Sequence, residues 1–374
     1  MENLLALLDT VLDVTVMVLA LLILLGLLTV AVLYVIDVTQ TTQAIRKNYP
    51  VIGRLRYVFE HLGVFFRQYF FAMDREELPF NRAQRTWVAR AAKRIDSTVA
   101  FGSTKPLNRP GDIFFLNGAF PPTAEEIQAH TPAPVIFGEA SVAKPYTAPS
   151  LFNISAMSYG ALSGPAISAL SQGAYQSGIW LNTGEGGLSP FHRQAPCDLV
   201  FQIGTAKYGV RDEQGRLDAT KLTELAAIPE IKMFEIKLSQ GAKPGKGGIL
   251  PGEKVTEVIA STRGIPAGQD SISPNRHSEV TSVESLLDLI TTVRDVSKKP
   301  TGIKFVLGQT QWLDDFCAAI HSRGIDSAPD FITLDSADGG TGAAPQGLMD
   351  NMGLPVAASL PLVDATLRQA GLRD

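Results

Sequence analysis

Cysteine is nearly absent: Cys197 and Cys317 are the only two in 374 residues. Two thiols cannot build a disulfide framework or ligate an iron–sulfur cluster, so both read as ordinary half-buried cysteines of a reducing compartment. Bases are missing from positions 1–37, which hold four acids. Charge of either sign is missing from Val14–Ile36, where only Thr15, Gly26, Thr29 and Tyr34 depart from aliphatics and Met. At about 1.5 Å per residue that stretch makes a helix of about 34 Å, enough to cross a bilayer core with slight tilt. An acidic start (Glu2, Asp9), an overlong apolar run and no small-residue cleavage site exclude a secretory signal peptide. A soluble core helix of this length would show a polar face, and none is present. Residues 1–37 are therefore expected to be a single-pass transmembrane anchor. Arg46, Lys47, Arg54 and Arg56 all follow it, so the positive-inside rule places the bulk of the chain in the cytoplasm, at the cell membrane.

Charge is uneven beyond the anchor as well. Positions 38–109 carry thirteen Lys or Arg against five acids, and the total over the chain is −4. From Tyr49 to Met73, Tyr57, Phe59, Phe65, Phe66, Tyr69, Phe70 and Phe71 interleave with Arg54, Arg56 and Arg67. Arginines among aromatics suit single-stranded nucleic acid. Directly after a membrane helix they suit an interfacial segment at lipid headgroups better, so the lipid bilayer is the expected partner and nucleic acid is not. Residues 38–149 read as a basic, aromatic juxtamembrane and lead-in region that packs on the larger C-terminal domain. They hold short strand-like pieces (Ile113–Leu116, Val135–Phe137) and prolines at 106, 110, 121, 122, 132, 134, 145 and 149.

After Pro149 short apolar runs alternate with helix-like segments, an α/β pattern. The runs predict strands over 151–156, 178–182, 199–203, 233–238, 302–307 and 331–335. Helices are predicted near 163–176, 218–227, 252–260, 282–295, 311–322 and 361–370. Six strand–helix steps at this spacing predict a (β/α)8 TIM-type barrel over 150–374 with about six of its eight units present. A doubly wound sheet is the alternative, but no G-x-G-x-x-G follows the first strand. The excursion from 241 to 299 is too long for an ordinary βα loop and suggests a functional one.

The distinctive residues fall at strand ends. They are Met157–Ser163, Asn182-Thr183-Gly184-Glu185-Gly186-Gly187, Gln202–Gly209, Lys304, and Asp338-Gly339-Gly340-Thr341-Gly342-Ala343. The strand opening Phe234–Gly248 ends on Lys237 and runs into a loop of Gly241, Gly245, Gly247 and Gly248 with Lys243 and Lys246. One glycine cluster is often just a turn, and a lone lysine is often just exposed. Five such clusters at the C-terminal ends of barrel strands line one mouth and point to a ligand site that admits close backbone approach.

These ordered motifs, with Leu250-Pro251-Gly252 and Ile272-Ser273-Pro274, resemble the FMN-binding synthase domain of glutamate synthase over residues 150–374. The anchor and lead-in resemble its shorter, stand-alone members. The resemblance implies a barrel holding FMN, whose reduced form delivers a hydride to 2-iminoglutarate, made from 2-oxoglutarate and ammonia, to give L-glutamate. It places Met157, Ser158, Gly160, Asn182, Thr183, Gln202 and Lys304 at the flavin, and the Gly339-Gly340 pair joins them. Glu185, Lys237 and Gln240 fall on the substrate side as the catalytic group. No metal is expected. An ammonium such as Lys304 suits the anionic N1–C2=O edge of reduced flavin. Lys237 or Lys243 can pair substrate carboxylates, and Lys237 can instead donate a proton if burial lowers its pKa.

The departures carry their own expectations. A membrane helix stands where full glutamate synthases have a glutaminase domain, so ammonia comes free or from a glutaminase partner, and an electron-donor protein is a further possible partner. Asn275-Arg276 stands for a Pro-Pro and Ser278 for a His. That leaves His277 and Glu279 as candidate site residues, beside the reading of His277 as an ordinary loop histidine. The sequence ends at Asp374, before the family's cluster-binding cysteines and last two strands. An iron–sulfur cluster is therefore expected only in a longer chain, and FMN is expected to bind this one weakly or not at all for want of a phosphate site. Two alternatives stand beside the synthase reading. One is an FMN oxidoreductase acting on another 2-oxo or 2-hydroxy compound, and the other is a truncated, non-catalytic, membrane-tethered scaffold.

Overall fold

Short runs rich in Ile, Val, Phe and Leu, with no polar side to spare, are buried on both faces and so pair in parallel. In the computed structural model, which describes residues 2–108, 112–130, 133–342 and 344–373, they do so in one sheet. Ala343 of the last glycine cluster, Pro110, Pro132 and Asp374 lie outside the described residues. The chain divides into two compact units, 1–112 and 113–374, so residues 113–149 of the lead-in belong with the second.

In the first unit, helix α1 spans Glu2–Thr39, and Thr10–Thr39 is long and apolar enough to cross a membrane by length and composition. Short α2 (Ala44–Asn48) and then α3 (Gly53–Phe66) follow, with α3 running on into a π-helical turn at Arg67–Phe71; α4 is Arg82–Ala92. Asp37 at the end of α1 is fully buried. It accepts from Arg54 Nη2 at 2.7 Å, from Arg54 Nε and from the Val51 backbone N–H at 2.9 Å. Phe65, Phe66, Tyr69, Phe70 and Phe71 pack ring against ring with their outer surfaces exposed.

The second unit begins with α5 (Ala124–Ala129) and an antiparallel hairpin of β1 (Val135–Phe137) and β2 (Tyr146–Ala148). Then come α6 (Gly164–Ser177), β3 (Leu181–Asn182), β4 (Leu199–Ile203), α7 (Ala219–Ala226) and β5 (Ile231–Lys237). The long excursion holds a small hairpin, β6 (Ile249–Leu250) with β7 (Ser271–Ile272), and between them α8 (Glu257–Arg263). It closes with α9 (Val283–Ser297). After it run β8 (Thr301–Val306), α10 (Gln311–Arg323), β9 (Ile332–Asp335), α11 (Gln346–Asn351) and α12 (Val356–Gln369).

The sheet order is β3-β4-β5-β8-β9, all parallel and consecutive in the chain. Parallel neighbours in chain order, joined by helices in every connection but β3–β4, are the wall of a TIM-type barrel, here partial. The strand predicted over 151–156 survives only as a single bridge, Ile154 to Leu181. The Asn153 side chain takes the Trp180 N–H at 3.0 Å, ending the ladder at that point.

Alternation along each strand sorts the side chains. Leu199, Phe201, Ile203, Phe234, Ile236, Ile303 and Phe305 join one large core cluster with Leu286, Leu287, Ile290 and Val293 of α9 and Leu313, Phe316 and Ile320 of α10. The other face carries Val200 and Met233 at the bottom, packed with Tyr146, Phe137, Trp180 and Phe331, so the β1–β2 hairpin plugs that end. Above them on the same face come Gln202 and Glu235, then Lys237 and Lys304. Cys197 and Cys317 are free and buried rather than half-buried, Cys197 within the large core cluster and Cys317 on α10.

Candidate active site

Lys237 is the last residue of β5 and pairs in register with Lys304 of β8. Two ammonium groups side by side at a barrel mouth need anions, and each finds one. Lys237 Nζ lies 3.0 Å from Glu185 Oε1 and donates to Gln240 Oε1. The three residues expected on the substrate side therefore meet. Lys304 Nζ lies 3.3 Å from Asp335 Oδ2, a carboxylate at the end of β9 that the motifs alone did not single out. Burial alone would push Glu185 up, but the Lys237 ammonium, and behind it Lys243 and Arg263, hold its carboxyl below the usual range.

Arg263 was also missed. It ends α8, is 8% exposed, and donates through Nη1 to Ser271 Oγ at 2.8 Å and through Nη2 to the Tyr159 carbonyl. Its guanidinium stands 5.0 Å from the Tyr208 ring centroid, and its Nε is buried without a partner. With Lys243, 4% exposed, it lines a cavity of about 160 Å³ together with Ser158, Gly160, Glu185 and Ser273. Burial pushes both cations below their ordinary pKa values, against the pull of the nearby Glu185 carboxylate and, for Arg263, of Tyr208. Among the described residues neither forms an ion pair. A larger, mostly apolar groove of about 940 Å³ lies beside α9 and α10. Glu185, Lys243 and Arg263 line the small cavity and are absent from the groove's lining, so the small charged cavity is the better candidate.

Below the lysines sits Glu235, 2% exposed. Its carboxylate accepts from Asn182 Nδ2 at 2.9 Å, from Gln202 Nε2 and from Thr333 Oγ1 at 2.6 Å. Two of the expected flavin residues, Asn182 and Gln202, thus share one acceptor. Gln202 Oε1 is buried with no partner. Thr183 is fully buried and its hydroxyl is used inside the wall, donating to the Gly184 carbonyl and accepting from Gln202 N–H. Met157 is held by its backbone, its carbonyl taking His192 Nε2 at 2.8 Å.

Ser158 touches the turn at Gly184, whose φ of +67° and the Ser158 nitrogen 2.6 Å from any added Cβ leave room for glycine alone. Gly241 is tighter still: a Cβ there would stand 1.6 Å from the Ser336 carbonyl, so the loops after β5 and β9 touch through bare backbone. Gly339 packs against Asp335, whereas Gly340 is exposed with open space around it.

His277 lies beneath Lys237, its Nε2 3.0 Å from the Lys237 carbonyl, which can only accept. Burial, and then the Lys207 ammonium, push it down to about 4. Lys207 itself pairs with Glu279 at 3.0 Å. His277 and Glu279 therefore brace the site from below.

The family described as a conserved region in glutamate synthase matches residues 120–374, which takes in every residue of this mouth. The chain is 36% identical to a glutamate synthase large subunit-like protein YerD of Bacillus subtilis, over 91% of this chain and 71% of that one. The chain belongs to the glutamate synthase family. It is also 38% identical to an archaeal-type glutamate synthase [NADPH] of Thermotoga maritima, over 58% of this chain and 40% of that protein. With an archaeal glutamate synthase [NADPH] of Archaeoglobus fulgidus it shares 39% identity, over 59% and 40%. The chain thus spans well under half the length of these last two relatives. Family likeness begins some way before the motifs that first suggest it, because the β1–β2 hairpin that plugs the barrel lies between residue 120 and Pro149.

Proposed function

We propose that this protein is an FMN-dependent oxidoreductase of glutamate synthase type, reductively aminating 2-oxoglutarate by way of 2-iminoglutarate. The observation that carries the reading is a pair of buried cations, Lys243 and Arg263, that form no ion pair among the described residues, in the cavity beside the Lys237–Glu185–Gln240 cluster. A dicarboxylate needs two cations that are not already neutralised, and here they are next to a proton-handling pair. At about 160 Å³ the space suits a substrate-sized ligand, below the roughly 300–1,000 Å³ of sites that bury larger ones.

The residues around Lys304 fit a flavin. Gln202 Oε1 is a buried acceptor awaiting a donor, and Lys304 is a fixed cation for an anionic ring edge. Flavin, when bound, supplies the hydride. This chain's residues do the rest. Arg263 and Lys243 hold the carboxylates, and the Lys237 ammonium gives a proton to the substrate nitrogen and regains one from solvent, while Glu185, 3.0 Å away, holds that ammonium in place. Ammonia comes free or from a glutaminase partner, and electrons from a donor protein. The apolar stretch of α1 spans the cell membrane, the bases after it keep the barrel cytoplasmic, and the exposed aromatics after α3 lie at the headgroups.

Binding of 2-oxoglutarate to detergent-solubilised protein, followed by calorimetry, tests the reading. Arg263→Met removes a charge-assisted contact of about 1.5–3 kcal/mol, so affinity should fall about tenfold to a hundredfold. Unchanged affinity, or equal binding of a monocarboxylate, would sink the dicarboxylate assignment. Release of the protein by alkaline carbonate would sink the membrane one.

A further inference from the structure

Among the described residues, Glu235 is the carboxylate of the inner wall that meets amides rather than ammonium groups. Its Oε2 receives both Asn182 Nδ2 and Gln202 Nε2, and its Oε1 receives the Thr333 hydroxyl. Among the described residues no Lys or Arg forms an ion pair with it. A side-chain amide can turn over at little steric cost, exchanging its donor end for its acceptor end. An acceptor-only carboxylate removes that freedom, because both amides must offer it their NH2 groups. Asn182 Oδ1 then takes the Gly184 N–H at 3.0 Å, fixing the turn that carries Glu185. Gln202 Oε1 is left as a buried acceptor with nothing to accept.

We propose that Glu235 is a positioning residue which sets the polarity of the Asn182 and Gln202 amides, so that Gln202 presents an oxygen, never an NH2, to the cofactor. The proposal rests on the flavin reading for its ligand: the only N–H of an oxidised isoalloxazine ring is N3–H, and a carbonyl oxygen is what recognises it. Glu235→Gln keeps the shape but supplies its own NH2, so the Gln202 amide is free to turn over.

The test compares FMN with N3-methyl-FMN on the full chain, by fluorescence titration. The wild type should prefer FMN at least tenfold. In Glu235→Gln that preference should collapse to within about twofold, given that each lost pairing at a buried amide is a factor of about ten. The exchanged pair Glu235→Gln with Gln202→Glu should restore it, since the carboxylate moved to position 202 would accept from the amide moved to position 235 and still offer an oxygen. A purely structural role would weaken both flavins equally and leave the ratio unchanged, and that result would overturn the proposal.

A flavin-free readout keeps the two readings apart. In urea melts, Gln202→Glu alone sets two carboxylates face to face and should be far less stable than the exchanged pair. If the wild type binds neither flavin, the cofactor reading fails while this coupling still decides the polarity assignment. Additive effects of the two substitutions would refute it.

Discussion

Lowering the pH should weaken the fold through His277, and the size of the effect follows from where that ring sits. It is 1% exposed and donates to the Lys237 carbonyl, and its Nδ1 is buried without a partner. Burial and the neighbouring Lys207 ammonium push it from 6.5 down to about 4. Between those two values the unfolded chain binds a proton that the native protein refuses. Stability therefore falls as the pH drops through this window and levels off below it. At about 1.4 kcal/mol per pH unit the whole loss is on the order of 3 kcal/mol, a large share of a typical folding free energy. His277→Gln keeps a donor for the Lys237 carbonyl but cannot titrate. Urea melts of both proteins in detergent, at about pH 7 and about pH 4.5, should show the variant losing about 2–3 kcal/mol less than the wild type. His192 is also pushed down by burial, but it titrates in both proteins and cancels in the difference. Glu185 and Glu279 are held low, so their contribution is lost only below the ordinary carboxylate range. Equal losses in the two proteins would refute the reasoning.

The Lys304–Asp335 pair makes a prediction with opposite signs, for flavin-loaded protein. Lys304→Met should lower the flavin midpoint potential and Asp335→Asn, which frees the ammonium, should raise it. Each should shift it by about 30–60 mV if one charge-assisted contact is at stake. A redox titration giving shifts of the same sign would break the assignment. Gly241→Ala drives a Cβ into the Ser336 carbonyl, so the loops after β5 and β9 must part. A loss of about 1–3 kcal/mol in a thermal or urea melt is expected, and an unchanged midpoint would show that the contact is slack.

Much of the barrel was legible because buried parallel strands leave plain apolar runs. The predicted strands at 199–203, 233–238, 302–307 and 331–335 overlap β4, β5, β8 and β9, and Ser163 caps α6 where the pattern places a helix start. The run over 151–156 misled because periodicity does not reveal that the Asn153 side chain takes over a ladder hydrogen bond. Pro361 misled as well. It reads as a helix start, yet α12 begins at Val356 and carries the proline inside, with Ser359 and Val363 buried on either side of it.

The site was half legible. Lys237, Glu185 and Gln240 announce themselves as polar residues at strand ends. Glu235 hides because it looks like the polar alternate of an exposed strand. Arg263 hides because an arginine before a helix-ending glycine is usually solvated, and only the fold turns it inward.

The balance of charge at the mouth explains why an anionic ligand belongs in one place there and not another. Lys237, Lys304 and Lys207 are each answered by a carboxylate, in Glu185, Asp335 and Glu279. Glu235 is answered by two amides and a hydroxyl and forms no ion pair among the described residues. Of the buried cations lining the small cavity, Lys243 and Arg263 form no ion pair among the described residues, and the exposed Lys254 lies at its rim. Glu185, and for Arg263 the Ser271 hydroxyl, the Tyr159 carbonyl and the Tyr208 ring, offset part of the cost of desolvating these two cations, and an added anion would offset more. The paired lysines on either side stop that surplus from spreading. Under the proposed function, a dicarboxylate would settle in the cavity with the Lys237–Glu185 pair at its edge, and Lys304, held by Asp335, would face a ring whose charge appears only on reduction.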